Sequence, residues 1–279
     1  MALNYRAVIV GVGLSFAIAE VLADRVRGRT GSQLAFDVVS GGAVGFVVGP
    51  LVTVAASLLL DAVTPGSRDA LAHLPAWAMV AMLLLGDDLT QYWWHRACHS
   101  VPWLYTLHRA HHSAPYMSVS IVYRNNLLYY ALMPGLWIAG ALVHLGFGSV
   151  YAVYIIVKLT VIIGAHSSLR WDAPLYRVRA LRPVMWVVER VLSTPSTHAM
   201  HHGLHADDGV THYKGNYGNL LFFWDVLFGT ARITRRYPEA FGIEGLRPQS
   251  HATELAWPFV PLQPEEEAAG ELGQTSSVG

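Results

Sequence analysis

The sequence predicts an all-α protein: an integral membrane helical bundle carrying a cytoplasmic, histidine-rich helical cap. Three observations lead there. Hydrophobic residues make up 53% of the 279 positions and charged residues only 14%, and the mean hydropathy is +0.35, a balance suited to lipid rather than water as the solvent. Several uncharged apolar stretches approach or exceed the about 20 residues that a helix needs to cross a bilayer. The histidines are grouped. His95-x3-His99, His108-x2-His111-His112 and His198-x2-His201-His202 lie beside apolar stretches, where an unpaired polar group is costly.

Residues 7–19 are uncharged and precede Glu20. They read as a first membrane helix, although Val21-Leu22-Ala23 would also pass as a signal-cleavage site. Residues 34–60 carry one charge, Asp37, and are long enough to span, with Pro50 as a kink. A third span begins over 74–85 and continues through Asp87 and Asp88 into His95 and His99. Residues 126–145 and 149–165 are separated only by Gly146-Phe147-Gly148, so they should form a hairpin whose second leg ends at His166. Residues 175–192 mix apolar residues with Arg177, Arg179, Arg182, Glu189 and Arg190. They read as a helix on the membrane surface, interrupted at Pro183, with Trp171 and Trp186 suited to the interface. Residues 1–262 are expected to be one membrane domain with its catalytic core at about 80–230. Residues 263–279, with Glu265, Glu266, Glu267 and Glu271 and no cation, are expected to be a disordered acidic tail.

Charge placement orients the bundle. The formal net charge is zero, so no nucleic-acid partner is implied. Lysine occurs only at 158 and 214, and arginines fill alternate loops: Arg25, Arg27 and Arg29, then Arg96, Arg109 and Arg124, then Arg170 onward. The positive-inside rule puts these loops and the histidines in the cytoplasm. Lys158, inside the last span, is either functional or the partner of Asp37, Asp87 or Asp88. The single cysteine, Cys98, reads as packing rather than as a ligand.

The spacing suits metal. On a helix His95 and His99 share a face, within reach of one ion at roughly 2.0–2.1 Å. Asp88 and Tyr92 lie on the same stripe, placed to bond the far ring nitrogens. Neighbours such as His111 and His112 diverge by about 100°, so one can face a first ion and the other a second, and His201 and His202 repeat the device. His166 ends a span on the correct side. His212 is a further candidate, His205 a weaker one, and Asp225 reads as a buried carboxylate orienting a histidine. Imidazole suits iron, copper and zinc alike, and no H-E-x-x-H zinc-protease motif is present. Two ions held by histidine alone at a lipid-facing site fit a redox role, in which O2 is bound and an unactivated C–H bond is broken.

The order H-x3-H, H-x2-HH, H-x2-HH, with Asp88, Tyr92 and Arg96 around the first pair and NYGNLLFFWDVLFGT at 216–230, resembles the fatty acid hydroxylase superfamily, which includes sterol desaturases. The segment TPSTHAMHHG at 194–203 looks most like the alkylglycerol monooxygenase branch, but Ser100 stands where that branch would have an acidic residue. The resemblance implies two non-haem iron ions held by His95, His99, His108, His111, His112, His166, His198, His201 and His202. It also implies O2, a membrane lipid substrate, and electrons from a redox partner protein or a small reductant such as a pterin. Hydroxylation and desaturation both remain open, as does a non-catalytic metal carrier or sensor.

Overall fold

Residues 7–19 lie within helix α1, Tyr5–Leu22, which Asn4 caps by accepting from the Ala7 N–H. The computed structural model describes residues 4–263, and among these every regular element is helical. Helix α2 is longer than expected, Gly31–Val63, and opens with a capping box between Thr30 and Gln33. Pro50 does not end it. A π-helical turn at Val44–Val48 precedes the proline, and this wider winding accommodates a residue with no N–H to give. Helix α3 covers 76–98, with a second π-turn at Leu84–Asp88.

Among the described residues three helical stretches are long and apolar enough to cross a membrane: Tyr5–Leu22, Gly31–Val63 and Pro134–His166, the last of them broken at Gly146. Leu14, Ile18, Val38, Phe46 and Leu58 on the first two are all more than half exposed, which places apolar surface where lipid would cover it. Helix α3, the expected third span, is not one of the three. It carries Asp87, Asp88, Gln91 and His95, all buried, while Trp77, Leu85 and Trp93 on the same helix are exposed.

Helix α4, Pro102–His112, starts on Pro102, where a missing N–H costs nothing. The stretch 126–145 proves not to be one span. A short α5, Leu127–Ala131, ends before Pro134 starts α6, Pro134–Leu142. The last long helix, α7, is Gly148–His166. Gly146, at φ 110°, breaks the helical path between α6 and α7, a conformation that glycine alone adopts readily. The two legs fold back as a hairpin. A Cβ added at Gly135 would stand 2.6 Å from the Asp87 carbonyl oxygen, and the Tyr154 hydroxyl donates to Asp87 Oδ2 at 2.9 Å. A straight helix would separate residues 135 and 154 by about 28 Å; here both touch one aspartate.

The cap follows as short helices: α8 Asp172–Arg177, α9 Arg182–Val191, α10 Pro195–His201, α11 Phe223–Phe228 and α12 His251–Ala256. Pro183 starts α9 rather than interrupting it. Trp186 and Val187 are half exposed while Met185 and Glu189 are buried, the two-sided character expected of this segment. Trp171, assigned to the interface, donates its indole N–H to Gly164 O. The acidic tail lies outside the described residues except for Gln263. That residue's N–H donates to the Gln249 side-chain oxygen, and its own side-chain oxygen accepts from the Ser250 N–H.

Buried ion pairs lock the bundle. Lys158 Nζ lies 2.6 Å from Asp87 Oδ2, the pairing reading of its charge. Asp37 on α2 binds Arg124 at 2.8 Å and accepts from Ser120 and Tyr116. Glu20 on α1 accepts from Ser118, Ser167 and the Val119 and Ser168 N–H groups. Replacing Lys158 by methionine leaves the Asp87 carboxylate buried without its cation and should cost about 3–5 kcal/mol. The double variant Lys158→Met, Asp87→Asn should recover most of that. Thermal unfolding in detergent checks both, and a single variant that melts with the parent would show that the pair contributes nothing.

Candidate metal centre

The local chain dictates how each histidine is presented. Helix α3 runs out at Cys98, and His99 takes the C-cap position, so His95 and His99 leave one end of one helix. Helix α4 places His111 and His112 in its last turn and His108 one turn before its end. Helix α10 opens with a Thr194–Thr197 capping box and Pro195, and carries His198 and His201, with His202 as its C-cap. His166 is the last residue of α7. Four separate helices therefore end at one place.

They bring all nine expected histidines into two groups. His95, His99, His108, His112 and His201 form one, and His111, His166, His198 and His202 form the other. Within each group the candidate ligand nitrogens lie within 4.8 Å of one another. The neighbouring pairs are split between the groups: His111 from His112, and His201 from His202. Their ring planes stand at 89° and 87°. Between the groups, His112 and His202 stack with centroids 4.4 Å apart.

The outer nitrogens are fixed by acceptors. His95 Nδ1 donates to Tyr217 O at 2.7 Å, His111 Nδ1 to Ile121 O at 3.0 Å, His166 Nδ1 to Ile162 O at 2.8 Å and His201 Nδ1 to Gly215 O at 2.8 Å. The Asn125 amide oxygen takes His108 Nδ1 at 2.9 Å. A carbonyl only accepts, so each Nδ1 carries the proton and each Nε2 turns a lone pair inward. His95 and His201 then face each other Nε2 to Nε2 at 2.9 Å, and His111 and His166 at 3.3 Å. No proton is left to sit between them. Burial, reinforced by the neighbouring imidazoles, holds His99, His111, His112, His198 and His202 well below the usual histidine range, so the rings do not resolve the contact by charging. A cation does. Two nitrogens bound to one ion at roughly 2.0–2.1 Å stand about 2.9 Å apart at a right angle and about 3.4 Å apart at a tetrahedral one. His99 Nε2 and His198 Nδ1 are also buried without a hydrogen-bond partner. The residues present thus fit metal ions, and each group could hold one.

Neither group contains a carboxylate or thiol. Cys98 packs instead with Leu104, Leu107 and Met133. The candidates for orienting roles behave differently from the sequence reading. Asp88 accepts from the Trp224 indole and the Leu221 N–H, and the Tyr92 hydroxyl meets Thr230 and Arg96. Neither bonds a histidine, because the loop after α10 reaches His95 first. Asp225 acts at one remove. It accepts from the Tyr217 and Gly218 N–H groups and so holds the loop whose carbonyl orients His95. His212 turns to Thr230 O and joins neither group, and His205 is exposed beside Glu244. Asn125 was missed, although its place in the Asn125-Asn126 pair after the second cluster was a usable signal. The backbone acceptors left no signal, since every residue has a carbonyl. Glu20 and Asp37 fix the 118–121 segment that supplies Ile121 O.

Comparison with known proteins agrees with the geometry. Residues 80–230 match the model of the fatty acid hydroxylase family. An alkylglycerol monooxygenase of Danio rerio is 32% identical over 150 residues, 53% of this chain but only 29% of that protein's length. No solved structure matches the chain.

Replacing His111 or His112 by alanine should each remove about one of two bound ions, from different groups, with loss of any metal-dependent turnover. Metal analysis of the purified variants checks this. A variant with full metal content and parental turnover would leave that residue outside the ligand set.

Proposed function

The chain belongs to the fatty acid hydroxylase family, and from that premise we propose that it is a membrane-bound non-haem di-iron oxygenase that hydroxylates an unactivated C–H bond of a lipid with O2. The observation that carries this reading is the pair of inward-facing imidazole groups, adjoining through His112 and His202. One group would hold an ion through His95, His99, His108, His112 and His201, the other through His111, His166, His198 and His202. When bound, the two irons would supply the redox chemistry that O2 and an unactivated C–H bond require.

The protein's own part is positional. Carbonyl acceptors hold the histidine rings, which fixes where lone pairs point before any ligand arrives. The rings of both groups are almost wholly shielded, with only His99 of intermediate exposure, so water is kept from the site. Tyr129 stacks on His108 at 4.8 Å and adds to that seal. Electrons would come from outside the chain, from a redox partner or a small reductant. Desaturation on the same site is the near alternative, differing only in whether a second hydrogen leaves. A metal carrier is the distant one. It calls for ligands along the spans, whereas all nine histidines lie at helix ends.

The arginine-rich segments after α1, α3 and α7 support a cytoplasmic position for the histidine cap. The half-exposed apolar faces of α9 and α11 support its lying against the lipid surface.

Iron-loaded protein given a reductant, O2 and membrane lipid should consume O2 and yield a lipid heavier by one oxygen atom. Loss of two hydrogens instead would favour desaturation, and iron-loaded protein that consumes no O2 with any lipid would favour the carrier. For sidedness, a cysteine placed at exposed Asp207 should react with a membrane-impermeant maleimide only after the cytoplasmic face is opened. Labelling in intact cells would reverse the assigned topology.

A further inference from the structure

A cavity of about 240 Å³ lies beside the second histidine group. Its buried end is formed by Met117 and by Ala199, the residue after His198, and its wall by Ser167 and Ser168, which follow His166. Arg25 and Arg170 stand at its exposed rim. Arg25 comes three residues after α1 ends and Arg170 four after α7 ends, so the rim lies at the level where two membrane helices leave the apolar layer.

Three features mark it as a ligand site rather than a packing gap. The Ser168 hydroxyl is buried and has no hydrogen-bond partner. Among the described residues neither rim guanidinium has a carboxylate within ion-pair distance; Arg170 only stacks over Tyr237, at 4.4 Å. The nearby carboxylates are already engaged. Glu20 accepts from the two serine residues and faces Arg29 at 3.7 Å, and Asp172 accepts from the Ser196 N–H and the Tyr237 hydroxyl. Arg170 is also held at φ 47°, a left-handed conformation that an arginine adopts only under constraint.

We infer that this cavity is a head-group subsite for an anionic lipid, taking a phosphate or carboxylate between Arg25 and Arg170 with the Ser168 hydroxyl as a further donor. The volume is below the roughly 300–1,000 Å³ of sites that enclose a drug-sized ligand, so it fits a head group and not a chain. The acyl or alkyl chain would lie along the exposed apolar residues of α1 and α7. Guanidinium groups suit both anions, through paired charge-assisted hydrogen bonds.

The inference rests on the lipid-oxidising reading, and its test is made without turnover. Full-length protein in uncharged detergent, without reductant, is titrated with three probes of one chain length: a monoacylglycerol, its phosphate ester and the free fatty acid. At least one anionic probe should bind about tenfold more tightly than the uncharged one, and the tighter of the two identifies the anion. The double variant Arg25→Gln, Arg170→Gln should bring that ratio to about one, Arg25→Lys, Arg170→Lys should keep most of it, and Ser168→Ala should lower it severalfold. Equal binding of all three probes by the parent protein overturns the inference, as does a ratio unmoved by the glutamine pair. Should the glutamine pair not fold, ionic strength decides: the parent's ratio must fall as salt rises, and a ratio indifferent to salt overturns it. A preserved charge preference in a protein that oxidises no lipid would sink the oxygenase reading and leave the subsite standing. Undiminished oxidation of uncharged lipid, with no charge preference in binding, would do the reverse.

Discussion

Lone pairs turned toward one another are the constraint on which the structure depends. Nine imidazoles crowd together, and the outer nitrogens of five of them, His95, His108, His111, His166 and His201, are tied to carbonyl and amide oxygens. Those bonds leave the inner nitrogens without protons to share. In water such an arrangement would relax by rotating or charging the rings. Here burial opposes charge and the outer bonds oppose rotation, so the repulsion is kept until a cation relieves it. The short helices of the cap, the loop clamped by Asp225 and the salt-bridged 118–124 segment all hold an outer acceptor in place.

The membrane helices share in this. Glu20 and Asp37 are charges placed in apolar spans, a costly location unless they are paired. Each is paired with residues of the 118–124 segment or with the serines after His166. The bundle therefore reaches into the cap through these two acidic residues. Lys158 and Asp87 perform the same service nearer the middle, tying α7 to α3, the helix that ends in the first histidine pair. The costly charges in the spans hold the structure at the interface between lipid and metal chemistry.

Much of the site was legible because helical periodicity is. A three-residue spacer puts His95 and His99 on one face, and adjacency puts His111 and His112 on different ones. His166 could be found because the apolar run before it stops there. What periodicity cannot see is another segment arriving from far away in the chain. Asp88 and Tyr92 were assigned to His95 by sharing its stripe, yet the acceptor is the carbonyl of Tyr217, which no side-chain pattern encodes. The spans were read well where apolarity was continuous and poorly where proline divided it. Pro134 starts a helix that composition alone merged with 126–131, and Pro183 likewise begins α9. Apolarity at 74–85 suggested lipid contact, and Trp77, Val80 and Leu85 are exposed there, whereas the following turns carry four buried polar residues that face the protein.

The adjacent histidines have a mechanical consequence. His111 and His112 are joined by one peptide bond, as are His201 and His202, yet the members of each pair belong to different groups. Turning α4 or α10 about its axis to improve the fit on one side must swing a ring on the other. The two pockets are thus geared together by the backbone, and whatever fills one sets the shape that the next arrival will find.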